Sequence, residues 1–150
     1  MPTHYRGKAA DVRALDGYIK LMRAALTVQS LLDRRLAEHG VTESQFGTLE
    51  ALYHLGPLCQ RDIGKKLLTS GGNITLVIDN LEKRGLVKRV RSEEDRRFIG
   101  VHLTPAGRRT VDEILPGHVR EIARLFGALT ADEQERLASL CRKLGRAAQA

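Results

Sequence analysis

The chain has 150 residues, 42% of them hydrophobic, with 25 Lys and Arg against 18 Asp and Glu and a formal net charge of +7. That apolar content suffices for the core of one ordinary domain and excludes wholesale disorder. The basic surplus favours a polyanionic partner, and the apolar runs are broken by charge far short of the ~20 residues that span a bilayer.

Residues 1–10 are polar, carry Pro2 and Gly7, and read as a loose arm. From Asp11 to about Glu38 the pattern is helical, with one apolar row of Leu15, Tyr18, Ile19, Met22 and Leu26. A second row holds Leu21, Ala25, Val28, Leu31, Leu32 and Leu36. Two rows on one helix of so small a protein suggest a helix shared with a partner chain, and Gly40 is its C-terminal stop. Thr42 with Gln45 forms a capping box for the next helix, whose apolar face is Phe46, Leu49, Leu52 and Tyr53 and whose end is Gly56-Pro57.

A short helix is expected from about Gln60 to Leu68, with Ile63 and Leu67 inward. After a break at Thr69-Ser70 a stronger helix follows, with Ile74, Val77, Ile78 and Leu81 on one face and Gly85 as its left-handed cap. Two helices joined so tightly outline a helix-turn-helix. The period then changes from about 3.6 to 2 across Val87 to Arg91 and Phe98 to Leu103, around the polar turn Ser92 to Asp95. That is a β-hairpin, in the position of a wing.

Thr104-Pro105 restarts helix as a hydroxyl N-cap followed by proline at the first helical position. The row Val111, Ile114, Leu115, His118, Ile122, Leu125, Phe126 and Leu129 continues for several turns, with a kink expected at Pro116-Gly117. Thr130 and Glu133 make a second capping box, and the last helix is expected to bury Leu137, Leu140, Cys141 and Leu144.

The helix from Ser70 to Arg84 turns Gly72, Leu76, Asp79 and Lys83 away from its core stripe, with Asn73, Thr75 and Asn80 on its flanks. Small polar residues at its start permit close approach to a duplex and can bond to base edges and phosphates. Leu76 is apolar yet outward and suits a thymine methyl. The following segment holds Lys83, Arg84, Lys88, Arg89, Arg91, Arg96 and Arg97 against Glu93, Glu94 and Asp95, the pattern of phosphate neutralisation along a groove. Asp95 is placed to orient Arg97, and a guanidinium so held suits a narrow minor groove. A solvated helix face and a solvated charge cluster are the plain alternatives.

The stretch from Ser70 to Val87 resembles the recognition helix of MarR-family regulators. Asp95-Arg96-Arg97, followed by Val101 through Gly107, is similar to that family's wing signature. The order of elements matches from Asp11 to Gly145. The resemblance implies a mainly α fold with a small β-hairpin wing: a winged helix-turn-helix with N- and C-terminal dimerisation helices. It implies one domain over residues 1–150, dimerisation helices at 11–40 and 105–148, and a DNA-binding region at 42–104. It further implies a homodimer on a pseudo-palindromic double-stranded DNA operator. The contacts would come from Gln60, Ser70, Gly71, Gly72, Asn73, Thr75, Leu76, Asp79, Lys83, Arg91, Asp95, Arg96 and Arg97. Members are commonly repressors relieved by small phenolic or aromatic anions, or by thiol oxidation. One departure is Gly71-Gly72, where many relatives carry a single glycine; two weaken a helix start by up to ~1 kcal/mol each.

Tyr18, Arg23 and Tyr53 are candidates to line an effector pocket, and plain core packing suits both tyrosines equally well. Cys59, near a helix start and Arg61, is a candidate oxidant or electrophile sensor or simply a small buried residue; the family's thiol sensors carry their cysteine near the first helix, where this chain has none. None of the five histidines pairs with another His or Cys at i+3 or i+4, so no metal and no other cofactor is expected. Met1 to Lys20 lacks the apolar core of a secretory leader, and two isolated cysteines make no disulfide framework. A cytoplasmic, membrane-free protein is expected. No phosphate loop, nucleophile elbow or metal motif of an enzyme is present. A protein-interaction module on the same fold and a nonspecific chromatin-like DNA binder stand as rival readings.

Overall fold

The computed structural model describes residues 3–67 and 71–150. Its elements are α1 (Ala9–Glu38), α2 (Glu43–Leu55), β1 (Leu58–Cys59), α3 (Gln60–Leu67), α4 (Gly71–Lys83), β2 (Val87–Arg91), β3 (Ile99–Leu103), α5 (Pro105–Phe126) and α6 (Ala131–Gln149). The chain falls into two compact units, residues 1–115 and 116–150. No helix among the described residues is long and apolar enough to cross a membrane.

In the first unit, α2, α3 and α4 pack on a three-stranded antiparallel sheet of order β1-β3-β2. The main core joins Leu49 and Leu52 of α2, Ile63 of α3, and Ile74, Ile78 and Leu81 of α4 to Val87, Val101 and Val111. Truncating one of these, such as the fully buried Ile78, to alanine would cost about 2–5 kcal/mol. A second cluster of Leu36, Val41, Phe46 and Ile114 anchors the end of α1.

The helix boundaries follow local chemistry. Thr42 Oγ1 accepts from the Gln45 backbone while Gln45 Oε1 accepts from the Thr42 backbone, at 3.2 and 3.0 Å, and Thr130 with Glu133 repeats the arrangement. Gly85 has φ of 72°, a left-handed conformation that glycine adopts without steric penalty, and it turns the chain from α4 into β2. Strand β1 is a departure from the sequence expectation, which has no strand before α3. It pairs Leu58 with Val101 and Cys59 with Gly100, adding a third strand to the hairpin.

The joint between sheet and α5 is tight. The Thr104 backbone donates to the Leu86 carbonyl at 3.1 Å, its hydroxyl donates to the Gly85 carbonyl at 2.7 Å, and it accepts from the Gly107 N–H at 3.0 Å. A Cβ placed on Gly107 would lie 2.1 Å from the Leu86 carbonyl oxygen, so only glycine fits there.

The second unit holds the rest of α5, which continues through Pro116, and α6. Within it Arg124 pairs with the buried Glu121 at 2.7 Å, and Gln134 donates to the Phe126 and Leu129 carbonyls. One expectation is corrected here. Leu137, Leu140, Cys141 and Leu144 are all exposed. Their spacing does mark an apolar stripe, but periodicity reports that a face is apolar and does not name what covers it.

Candidate nucleic-acid interface

Helix α4 buries Ile74, Ile78 and Leu81. At about 100° per residue, Gly72, Leu76 and Lys83 fall on the opposite side. Asn73 and Lys83 are exposed, and Leu76 is 69% exposed, the highest value among the described large apolar side chains.

Both flanks of α4 are tied to the rest of the unit. On one flank Gln60, at the start of α3, donates to Thr75 Oγ1. On the same flank Arg89 of β2 donates from Nη2 to Asp79 Oδ1 at 2.6 Å and from Nη1 to Glu82 Oε1 at 2.9 Å. Its backbone N–H also donates to Glu82 Oε2 at 2.8 Å. Burial of the guanidinium opposes its charge, but the hydrogen bonds to Asp79 and Glu82 outweigh this and hold its pKa above the ordinary value. On the other flank Gln45 donates to Asn80 Oδ1 at 2.9 Å, and Arg84 Nη1 donates to the Gly40 carbonyl at 2.9 Å.

The wing tip has its own internal order. The Ser92 N–H donates to the Phe98 carbonyl and the Phe98 N–H to the Asp95 carbonyl, both at 2.9 Å. Asp95 Oδ1 accepts from the Arg97 backbone at 3.0 Å and lies 3.6 Å from Arg97 Nε. The Arg97 side chain is 95% exposed, so its charge is held at the base and presented outward. Arg91 donates to the Arg96 carbonyl, which closes the loop across its neck.

Beneath the wing lies a cavity of about 440 Å³ whose lining includes Cys59, Gln60, Arg61, Arg89, Arg97 and Phe98. The wing tip and the start of α3 therefore share one cleft, and Gln60 links that cleft directly to α4.

The positions singled out from the sequence separate on this geometry. Gly71 and Gly72 open α4; Ser70 and the break at Thr69-Ser70 lie outside the described residues. Asn73, Leu76, Lys83, Arg91, Arg96 and Arg97 are exposed on α4 and the wing. Gln60, Thr75 and Asp79 make hydrogen bonds within the fold. Tyr18 and Arg23 are exposed on α1. Tyr53 instead ties α2 to α5: its hydroxyl donates to Asp112 Oδ1 at 2.7 Å, and Arg108 sits 5.0 Å from its ring centroid. The Asp112 hydrogen bond, that carboxylate's charge and burial raise the Tyr53 pKa, against an opposing pull from Arg108.

Comparison with known proteins fits this arrangement. The MarR family model matches residues 41–99, the span from α2 to the start of β3. The chain is 40% identical over 133 residues to the uncharacterized HTH-type transcriptional regulator YkoM of Bacillus subtilis, across 89% of this chain and 86% of YkoM. The chain belongs to the MarR family.

Two further proteins extend the likeness of this MarR-family chain. The HTH-type transcriptional repressor MdtR of Bacillus subtilis is 30% identical over 142 residues, across 95% of this chain and 92% of MdtR. The solved structure of Bordetella bronchiseptica BpsR, whose DNA binding is regulated by 6-hydroxynicotinic acid, matches with a TM-score of 0.76 and 29% identity. That match covers 86% of this chain and 97% of BpsR. The fold is thus the winged helix-turn-helix of MarR-family, DNA-binding transcriptional regulators. Within it, Glu82 and Gln45 were not expected at the site, and Arg89 was expected to neutralise phosphate rather than to bridge to α4. A signal for Arg89 was available: strand alternation puts it on the side of the buried Val87, where a guanidinium needs carboxylate partners.

Proposed function

We propose that this MarR-family regulator is a cytoplasmic, sequence-specific repressor that binds a pseudo-palindromic operator as a homodimer and is released by a small aromatic or phenolic anion. The observation that carries the DNA reading is the joint mounting of α4 and the wing. Arg89 bridges them, and Gln60 links α4 to the cleft that Arg97 lines. An outward-facing helix and a basic wing so joined suit a major groove and the adjacent minor groove of one duplex. In this reading residues 42–104 contact DNA through Asn73, Leu76 and Lys83 on α4 and Arg91, Arg96 and Arg97 on the wing. Gly71 and Gly72, which open α4, allow close approach.

The dimer reading rests on exposed apolar side chains of the two terminal helices. Tyr18, Met22 and Leu26 on α1 and Leu140 and Leu144 on α6 all face outward, and such stripes on a water-soluble surface suit a second copy. Helices 11–40 and 105–148 are accordingly assigned to dimerisation. Repression is supported by the name of MdtR, and release by an aromatic acid by the BpsR example. Tyr18, Arg23 and Tyr53 remain candidate effector contacts.

The test is selection of DNA from a random pool by the purified protein, followed by sequencing and competition binding. A palindrome preferred tenfold or better over unrelated DNA, and weakened by 6-hydroxynicotinate or a related aromatic acid, is expected. Affinity that depends on salt but not on sequence refutes the reading. Sedimentation at micromolar concentration should give a dimer.

A second reading, thiol-based release, is favoured by the place of Cys59 in the wing cavity. Unchanged oxidant response in Cys59→Ser removes it.

A further inference from the structure

Leu76 is the least buried large apolar side chain described, and it stands near the middle of the outward face of α4. Exposed leucines are ordinary on protein surfaces. What sets this one apart is how firmly its direction is fixed. Thr75, Asp79 and Glu82 are held by Gln60 and Arg89 along one flank. Asn80 and Arg84 are held by Gln45 and the Gly40 carbonyl along the other. Ties on both flanks prevent the helix from turning about its axis. Its inner face is locked as well, by the buried Ile74, Ile78 and Leu81. Four residues before Leu76 on this line lies Gly72 and seven after it lies Lys83, whose flexible stem can move aside. Its neighbours suit hydrogen bonds or phosphate; Leu76 can offer only an apolar surface.

We infer that Leu76 is a specificity-determining residue that reads the C5-methyl group of a thymine in the major groove. This deepens the DNA-binding reading above and rests on it. The thymine methyl is an apolar group that distinguishes an A·T pair from its neighbours on the major-groove side. A leucine fixed in direction recovers burial when it meets such a group. The flanking ties give the contact its positional sharpness, because a helix free to roll would reach more than one base step.

The experiment uses the operator selected by the wild-type protein. Each thymine is replaced in turn, symmetrically in both half-sites, by deoxyuridine, which deletes the methyl and leaves base pairing intact. One replacement position is expected to weaken binding by about fourfold for each half-site, or roughly fifteenfold for the symmetric duplex, the scale of one buried methylene-sized group. Leu76→Ala should bind the thymine and deoxyuridine duplexes equally. Its urea midpoint should match wild type, since the side chain is exposed and alanine is a good helix former. A penalty that persists in Leu76→Ala would come from DNA shape and overturns the assignment. Sequence-specific binding by wild type that ignores every thymine methyl overturns this inference while leaving the DNA-binding reading standing. Binding without any sequence preference overturns both.

Discussion

Replacing Arg89 separates its two conceivable duties, holding the wing on α4 and neutralising a phosphate. Its guanidinium is 24% exposed and bridges Asp79 and Glu82, which are 46% and 41% exposed. Removing one partner of a fully buried pair costs 3–5 kcal/mol, whereas an exposed pair contributes about 0–1 kcal/mol. Here the guanidinium is mostly buried but both carboxylates can be rehydrated, so Arg89→Met should destabilise the fold by about 1–2 kcal/mol, read as a lower urea midpoint. Operator affinity should fall further, by about tenfold or more, because the wing must then be ordered at the moment of binding. Arg89→Lys is the decisive variant. It keeps the charge but loses the planar fork that reaches two carboxylates at once. A positioning role predicts that Arg89→Lys behaves like Arg89→Met in affinity while keeping the wild-type slope of log K against log salt. A phosphate contact predicts the reverse: near-normal affinity for Arg89→Lys, and a slope reduced by about 1 in Arg89→Met. Wild-type stability and affinity in Arg89→Lys would refute the bridging role.

Arg97→Ala should weaken operator binding at least tenfold with an unchanged circular dichroism melt, since the side chain is almost wholly exposed; wild-type affinity would contradict the wing assignment. Asn73→Ala should alter the sequences selected from a random pool more than Lys83→Ala does, and identical profiles would reverse that ranking. Gly107→Ala should destabilise by about 2–4 kcal/mol, because its Cβ would meet the Leu86 carbonyl at 2.1 Å and Leu103 Cδ1 at 2.7 Å; an unchanged melting temperature would contradict the tight joint. The Tyr53 phenol should titrate above the ordinary range, its pKa being raised by the Asp112 hydrogen bond. The stabilisation from that link is then fully present below the unfolded-state pKa and is lost as pH rises through the folded one. Tyr53→Phe should remove the latest phenol transition from an ultraviolet titration and narrow its stability difference from wild type at alkaline pH.

The winged helix was legible because its signals are local. The change of period after Gly85, the capping boxes at Thr42 and Thr130, and Thr104-Pro105 each depend on a few neighbouring residues. What was not legible depends on partners far along the chain. Strand β1 has two residues, too few for alternation, and exists by pairing with β3 some forty positions later. Gln60 and Thr75 both read as DNA contacts, yet they bond to each other. Arg89 counted as one of seven bases on a groove-facing segment, while its strand position sends it inward to Asp79 and Glu82. The α6 stripe announced burial without saying by what, and Leu140, Cys141 and Leu144 remain exposed in the single chain.

The way α5 starts bears on how release from DNA can work. Thr104 joins its first turn to the turn after α4, Gly107 allows the Leu86 carbonyl to press against it, and the Tyr53–Asp112 hydrogen bond fastens its next turns to α2. Leu86 in turn follows Gly85, whose left-handed turn sets where β2 and Arg89 begin. A shift of the first turns of α5 therefore cannot leave the wing in place relative to α4. It must either carry Leu86 and the base of β2 along or break the Thr104 and Gly107 contacts, and either outcome disturbs the Arg89 bridge. A ligand needs only a modest preference for the shifted state to act through this joint: tenfold differential affinity corresponds to about 1.4 kcal/mol. That is comparable to the stability assigned above to the bridge itself. Release through α5 thus requires no contact between effector and wing, whereas release through the Cys59 cavity does, and loosening the joint without touching that cavity distinguishes the two. Thr104→Val, which keeps the shape but deletes the hydroxyl bonds, should weaken the effector's influence on DNA binding if the signal runs through α5. It should leave that influence intact if the effector acts directly beneath the wing.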